Sequence, residues 1–270
     1  MKWGSPENVM TVGNSLRPVI YFLFLQNTLK VPTSLYSHYM VSPMWSLAVE
    51  EQFYLVVPFL IRYLTVRRLT QVLLTCVLGA PVLRYVIFSL SQNGANWTYV
   101  LTPCRADALA MGLLVAVSWR TPAKEWLRRH TFLLKVTFGI LLPGALAMTK
   151  WMPGPRTPFE AAFQGTWLAL LCSSVLLVAL FDGRSLVARA ARWRFLREWG
   201  RVSYCFYVIH LGVLGVCHWT FFHSLPHIDD WPGLGVTVLA AVLAWTIAQL
   251  SWKYFEKPLI DRGHAKTYSS

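Results

Sequence analysis

Charge is scarce in this chain, and negative charge is scarcest. Twelve Asp and Glu stand against 25 Lys and Arg in 270 residues. Only 14% of the residues are charged while 55% are apolar, and several apolar runs reach about 20 residues, the length that crosses a bilayer core. That balance excludes a solvated globular fold. Cysteine is too sparse and too scattered to build a framework: Cys76, Cys104, Cys172, Cys205 and Cys217 lie within apolar runs without CxxC spacing, so neither disulfides nor a zinc site is expected. Met1 to Pro18 lacks an apolar core of signal-peptide length. The chain also lacks a fixed-period repeat and any low-complexity tract, which argues against a solenoid.

What the sequence does contain is apolar helix. The pattern predicts an all-α fold, a polytopic transmembrane helical bundle in one domain. Spans are expected at about 44–64, 69–90, 98–119, 132–151, 160–181, 202–224 and 232–253, and Val19–Leu25 adds a shorter segment for about eight in all. Alternate connectors are basic: Arg62, Arg67 and Arg68; Arg120, Lys124, Arg128 and Arg129; Arg184, Arg189, Arg192, Arg194, Arg197 and Arg201; then Lys253, Lys257, Arg262 and Lys266. The connectors between them carry few or no cations, and one holds Asp229 and Asp230. The positive-inside rule assigns the basic set and the C-terminus to the cytoplasm. It also accounts for the net charge of +13 without nucleic acid as a partner.

A few ionisable residues fall inside the spans. Trp45–Leu55, WSLAVEEQFYL, puts Glu50 and Glu51 about 10 Å in from the outer end of their span. Ser46, Glu50 and Tyr54 fall in one row, and Glu51 lies about 100° round. Arg105 and Asp107 sit at similar depth in their span, and Arg84 about 9 Å below the outer end of its own. Lipid is a costly neighbour for any of these five groups, so they are expected to converge on a polar interior, whether as a structural ion pair or as a site. Asp107 projects nearly opposite Arg105, which suggests a helix surrounded by protein, and Ala108, Gly112 and Ala116 form a ridge suited to close helix contact. Nearer the cytoplasm, Ser203, Tyr207 and His210 share a face, either packing or lining a ligand cavity. His223, His227, Asp229 and Asp230 look like metal ligands, but Pro226 breaks their helical spacing and no metal site is expected.

The stretch Trp45–Leu55 closely resembles the signature of the integral-membrane acyltransferase 3 family. Three later stretches match in order: Arg105–Gly112 (RADALAMG), Gly200–His210 (GRVSYCFYVIH) and Tyr254–Pro258 (YFEKP). The upstream Phe22–Asn27 (FLFLQN) also fits. The resemblance implies an O-acyltransferase that moves an acyl group, commonly acetyl, from cytoplasmic acyl-CoA to a hydroxyl of a carbohydrate or glycolipid. It implies acyl-CoA as a donor substrate with no bound cofactor, and a bacterial inner or plasma membrane as the location. The family domain usually has about ten spans, with a catalytic His on the first and a basic Arg-x-x-Arg motif two spans later. Residues 1–16 supply neither element, so residues 17–260 are expected to be that domain without its first two spans, followed by a cytoplasmic tail at 261–270. A fragment unable to transfer acetyl by itself is the expectation.

The reaction needs a base for the acceptor proton and a donor for the thioester oxyanion. On that scheme Glu50, Arg105 and His210 are the catalytic candidates. Glu50 and Arg105 would organise the outer cavity as a charge pair, and His210 would act as base only in the absence of the usual His. Ser46, Glu51, Tyr54, Arg84, Asp107, Ser203, Tyr204 and Tyr207 would line the substrate cavity. The rival reading is a proton-coupled transporter or translocase of a sugar-lipid, since buried acids, Arg and His also serve proton relays. A transporter predicts inverted repeats, and no second copy of the Glu50-Glu51 or Arg105-Asp107 pattern occurs.

Overall fold

The computed structural model describes residues 17–29, 43–148 and 155–265, with side chains described for 19–28, 43–148 and 155–263. The first 16 residues, and the tail from 266 onward, lie outside the described residues. Two short helices come first, α1 (Arg17–Phe22) and α2 (Gln26–Leu29). They are followed by α3 (Met44–Tyr63), α4 (Val66–Leu90), α5 (Gly94–Val100), α6 (Thr102–Trp119), α7 (Ala123–Arg129), α8 (Thr131–Met148), α9 (Pro158–Phe181) and α10 (Leu186–Ala191). The long α11 (Arg194–Phe222) and α12 (Trp231–Ser251) come next, then a π-helical turn, Trp252–Glu256, and α13 (Lys257–Ala265). No strand occurs among the described residues, and seven helical stretches are long and apolar enough to cross a membrane.

The expected eighth segment is different. Residues 17–29 break at Phe24, whose φ of 55° lies in the left-handed region that a bulky side chain rarely adopts. The carbonyl of Phe24 takes a hydrogen bond from Gln52 Nε2 at 2.7 Å, and Asn27 is buried. Polar ties of this kind hold two short helices where hydropathy alone suggests one apolar run.

Helix starts follow local chemistry. Thr157 caps α9 by accepting from Glu160 N at 3.2 Å, with Pro158 beginning the helix. Asp230 caps α12 through Gly233 N at 2.8 Å. The expected span at 98–119 is instead two helices, α5 and α6, parted at Leu101 in an extended conformation. Pro103 has no N–H to return to the Tyr99 carbonyl, so that acceptor is open to a side chain. The α11 helix starts eight residues earlier than expected, because RFLREWGR stays helical while Trp199 packs on Trp245 (4.2 Å between ring centroids) and on Phe206 (5.5 Å). Charge marks where a span leaves the membrane, not where its helix begins.

Packing divides the chain into two compact units. In the larger, which holds residues 18–29 and 45–192, α4, α6 and α9 pack on one another and α8 packs on α9. Leu69, Leu73 and Ala110 are buried at its basic end, with Leu60, Leu64, Leu113 and Leu114 against them. The Trp167 indole donates to Leu141 O at 2.9 Å, and its ring occupies the space a Cβ on Gly144 would need (2.3 Å). The face α6 buries is Cys104, Asp107, Met111 and Val115. Ala108, Gly112 and Ala116 are exposed, so the expected close-contact ridge is not where α6 packs, because the pairing of Asp107 turns the opposite face inward.

In the smaller unit α11 packs against α12. The buried face of α12 is a row of small residues, Gly233, Ala240, Ala244 and Ala248, which lets helix backbones approach closely. The π-helical turn falls in the YFEKP stretch. Pro258 has no N–H for the Tyr254 carbonyl and its ring would crowd that oxygen in a regular helix. The wider turn, in which Lys257 N reaches Trp252 O, and a bond from Ser251 Oγ to Glu256 Oε1 at 2.8 Å carry the chain past the proline.

At the basic end of the larger unit, Lys135 Nζ meets Asp182 Oδ2 at 2.6 Å just past the end of α9. The Lys135 ammonium, with backbone N–H groups of Arg184 and Ser185, holds the Asp182 carboxyl below the usual carboxylate range. A carboxyl depressed in the folded state stabilises above its unfolded value of about 4, and the contribution is lost as pH falls through the lower folded value. The thermal midpoint in detergent is therefore expected to drop in that acid window, and Asp182→Asn to flatten the drop. An unchanged acid limb in Asp182→Asn excludes the linkage.

Candidate active site

The polar layer of the larger unit centres on Arg84, which is 3% exposed, and Asp107, which is 1% exposed. Arg84 Nη2 meets Asp107 Oδ2 at 2.9 Å and Nη1 meets Oδ1 at 3.2 Å, a two-point pairing of planar groups. The remaining guanidinium donors go to Ala162 O (Nε 3.1 Å, Nη2 2.7 Å), to Thr166 Oγ1 at 2.5 Å and to Cys104 O. Thr166 in turn donates to Asp107 Oδ2 at 2.6 Å. One cation and one anion from adjacent helices thus join α4, α6 and α9 with their hydrogen-bonding capacity nearly filled. The expected partner of Arg105 was Glu50, but the ion pair that forms is Arg84–Asp107. The reason is azimuthal: residues 105 and 107 face different ways on α6, and Asp107 lies on its buried face while Arg105 is half-buried.

Arg105 sits beside this pair and is not in it. Its Nε donates to Tyr99 O at 2.8 Å, the carbonyl that Pro103 leaves open. Its guanidinium carbon lies 4.7 Å from the Tyr99 ring centre and 5.5 Å from that of Trp45, and the two rings are 4.6 Å apart. The position of a Cβ on Gly165 lies 3.7 Å from Arg105 Nη1 and 3.6 Å from Arg84, so a bare stretch of α9 backs both cations.

A third group ties the site to the start of the chain, and it was not anticipated from the sequence. Gln52 Nε2 donates to Asn27 Oδ1 at 2.9 Å, Asn27 Nδ2 donates to Thr102 Oγ1 at 2.9 Å, and Thr102 Oγ1 donates to Gln52 Oε1. Each residue lies within, or a few positions before, a stretch already noted: FLFLQN, WSLAVEEQFYL and RADALAMG. That shared placement was the available signal.

On α3, Glu50 and Tyr54 are exposed, while Ser46 and Glu51 are half-buried. Among the described residues, neither the Glu50 nor the Glu51 carboxylate makes a hydrogen bond or ion pair. In the smaller unit the expected face forms: Tyr207 and His210 rings are 5.8 Å apart and His210 Nδ1 lies 2.6 Å from Tyr207 O. Tyr207 OH donates to Pro43 O at 3.3 Å, Ser203 Oγ to Gly200 O at 2.9 Å, and Tyr204 is exposed. His218 was not singled out in the sequence, yet it is fully buried and bonds Thr237 Oγ1 at 3.0 Å. His227 and Asp230 approach to 3.5 Å, and among the described residues no three His, Cys, Asp or Glu converge as metal ligands. All five cysteines are free thiols, and Cys172 is exposed.

Comparison with known proteins follows the same motifs. YrhL of Bacillus subtilis (strain 168) is 26% identical over 234 residues, 82% of this chain and 34% of its own length. Peptidoglycan O-acetyltransferase OatA of Listeria monocytogenes is 26% identical over 230 residues, 82% of this chain and 35% of that protein. O-acetyltransferase OatA of Staphylococcus aureus (strain NCTC 8325) is 24% identical over 226 residues, 82% of this chain and 36% of that protein. The chain therefore spans about a third of the length of the curated relatives it matches. No solved structure matches it. Nothing in these comparisons supports the transporter alternative. Residues 8–252, which contain every element of the polar layer, match the acyltransferase domain of type 3, and this integral membrane protein belongs to the acyltransferase 3 family.

Proposed function

We propose that the chain is the membrane domain of an O-acyltransferase that moves an acyl group, acetyl in the simplest case, onto a hydroxyl of an envelope carbohydrate. The observation that carries this reading is the polar layer of the larger unit, where FLFLQN, WSLAVEEQFYL and the start of α6 meet while, among the described residues, the Glu50 carboxylate and the terminal nitrogens of Arg105 are left without partners. Two relatives named as O-acetyltransferases, one of them for peptidoglycan, support a glycan acceptor. Acyl-CoA is the donor, and arginines of the basic connectors offer charge for its phosphates. By the positive-inside rule those connectors and the C-terminus face the cytoplasm of a bacterial plasma membrane.

The acceptor oxygen attacks the thioester carbonyl. A C–O bond forms, the C–S bond breaks, the acceptor proton passes to a base, and CoA leaves as the thiol after taking up a proton. Glu50, whose oxygens have no partner among the described residues, is the proton acceptor. Ser46, Glu51, Tyr54 and Arg105 hold the sugar. Within the smaller unit, His210, Ser203, Tyr204 and Tyr207 are candidates for binding the acyl donor. Arg84 and Asp107, engaged with each other, position α4, α6 and α9 and do not touch substrate.

The test gives membranes carrying the chain, and membranes carrying the whole gene product with any in-frame upstream spans, radiolabelled acetyl-CoA and mixed envelope glycans. Alkali-labile label on glycan is expected, falling about a hundredfold in Glu50→Gln. No glycan label from either preparation overturns the acyltransferase reading. Full label from Glu50→Gln overturns the part given to that carboxylate.

A further inference from the structure

Arg105 has no ion-pair partner among the described residues. Asp107 gives its charge to Arg84 in a two-point pair, and no other carboxylate of the described residues comes within ion-pair distance of the Arg105 guanidinium. A cation left in this way in a membrane-embedded layer is costly and functional by default.

The shape of this excess charge is specific. The Trp45 and Tyr99 rings lie over the guanidinium, and Nε is fixed on the Tyr99 carbonyl. Among the described residues the terminal nitrogens Nη1 and Nη2 make no hydrogen bond. Cation–π contact occupies a guanidinium's face and leaves its in-plane N–H edge for a planar or tetrahedral oxyanion. Beside that edge two aromatic rings, 4.6 Å apart, give an apolar surface on which the C–H face of a pyranose can rest. On the far side Gly165 presents no side chain.

We infer that Arg105, flanked by Trp45 and Tyr99, is a subsite for an oxyanion carried by the acceptor sugar, so that the acceptor is an acidic carbohydrate. This rests on the carbohydrate-acceptor reading above and narrows it. A carboxylate and a phosphate share the required chemistry, since both accept two N–H bonds from one guanidinium edge. Arg105 is then a binding group that selects the acceptor, and the proton transfer stays with Glu50.

The test is equilibrium binding to the full chain in lipid nanodiscs, followed by calorimetry or saturation-transfer NMR. The probes are a glucuronic-acid disaccharide, glucose 6-phosphate and their neutral glucose counterparts. One acidic probe is expected to bind about tenfold tighter than its neutral counterpart, with the preference reduced by salt. Arg105→Gln should abolish the preference, and Arg105→Lys should keep part of it, since charge remains and the fork is lost. Carboxylate or phosphate preference identifies the source of the oxyanion. Equal affinity of wild type for acidic and neutral probes overturns the inference, and so does a preference that survives in Arg105→Gln. Should Arg105→Gln fail to fold, Arg105→Lys together with Tyr99→Leu decides: an undiminished preference in both overturns it. Because these are binding measurements, they stand apart from the acetyl-transfer assay, and either can fail alone.

Discussion

Membranes expressing Asp107→Ala should contain little folded protein, with a loss of about 3–5 kcal/mol in stability. The substitution leaves the Arg84 guanidinium, 3% exposed, without its counter-ion inside a bilayer-spanning helix. Carbonyls of Ala162 and Cys104 and the Thr166 hydroxyl still solvate Arg84, but none carries charge. Replacing both partners with apolar groups of similar volume, as in Arg84→Met with Asp107→Leu, should recover much of the loss, because a buried pair is often replaceable while a single buried charge is not. The measurement is the detergent melting temperature of the two singles and the double, read as a mutant cycle. Additive losses would show that the two residues act independently.

The second large effect is expected from Gly94→Ala. A Cβ there would stand 2.6 Å from Phe88 Cα and 2.8 Å from Phe88 O, backbone atoms of α4 that cannot rotate away. Forced separation of α5 from the end of α4 should cost about 3 kcal/mol, the upper end for overpacking. It should also disturb the site, because α5 carries Tyr99, whose carbonyl and ring hold Arg105. Discrimination between acidic and neutral sugars should therefore fall in Gly94→Ala even where folded protein can be recovered. A wild-type melting curve would mean that α5 has room to shift.

The spans were legible because each needs only length and apolar content, and those are properties of contiguous residues. Six of the seven long helices start within about four residues of the expected span, and α11 is the exception because helix propensity continues where hydropathy stops. The partners inside the polar layer were less legible. Depth along each helix placed Arg84, Arg105 and Asp107 in one layer, but partner choice depends on rotation about the helix axis relative to neighbours. Arg105 and Asp107 are two residues apart, so turning Asp107 toward Arg84 leaves Arg105 on a different face of α6. Asn27, Gln52 and Thr102 escaped notice because neutral polar residues carry no penalty large enough to mark them. His218 gave no sign for a similar reason: its partner Thr237 lies on the next helix.

The buried arginine also bears on how the protein is made. Helix α4 leaves the ribosome before any of the groups that hold Arg84. Cys104 follows 20 residues later and Asp107 after 23, whereas Ala162 and Thr166 arrive after 78 and 82. Until then α4 carries an unmatched cation, at a cost of about 2.5–3.5 kcal/mol if it is released into lipid at mid-depth. The favourable course is for α4 to linger at the protein wall of the translocon until α6 brings the carboxylate. It can move fully into the bilayer only when α9 closes the cradle, so the order of synthesis sets the order in which these helices become a membrane protein.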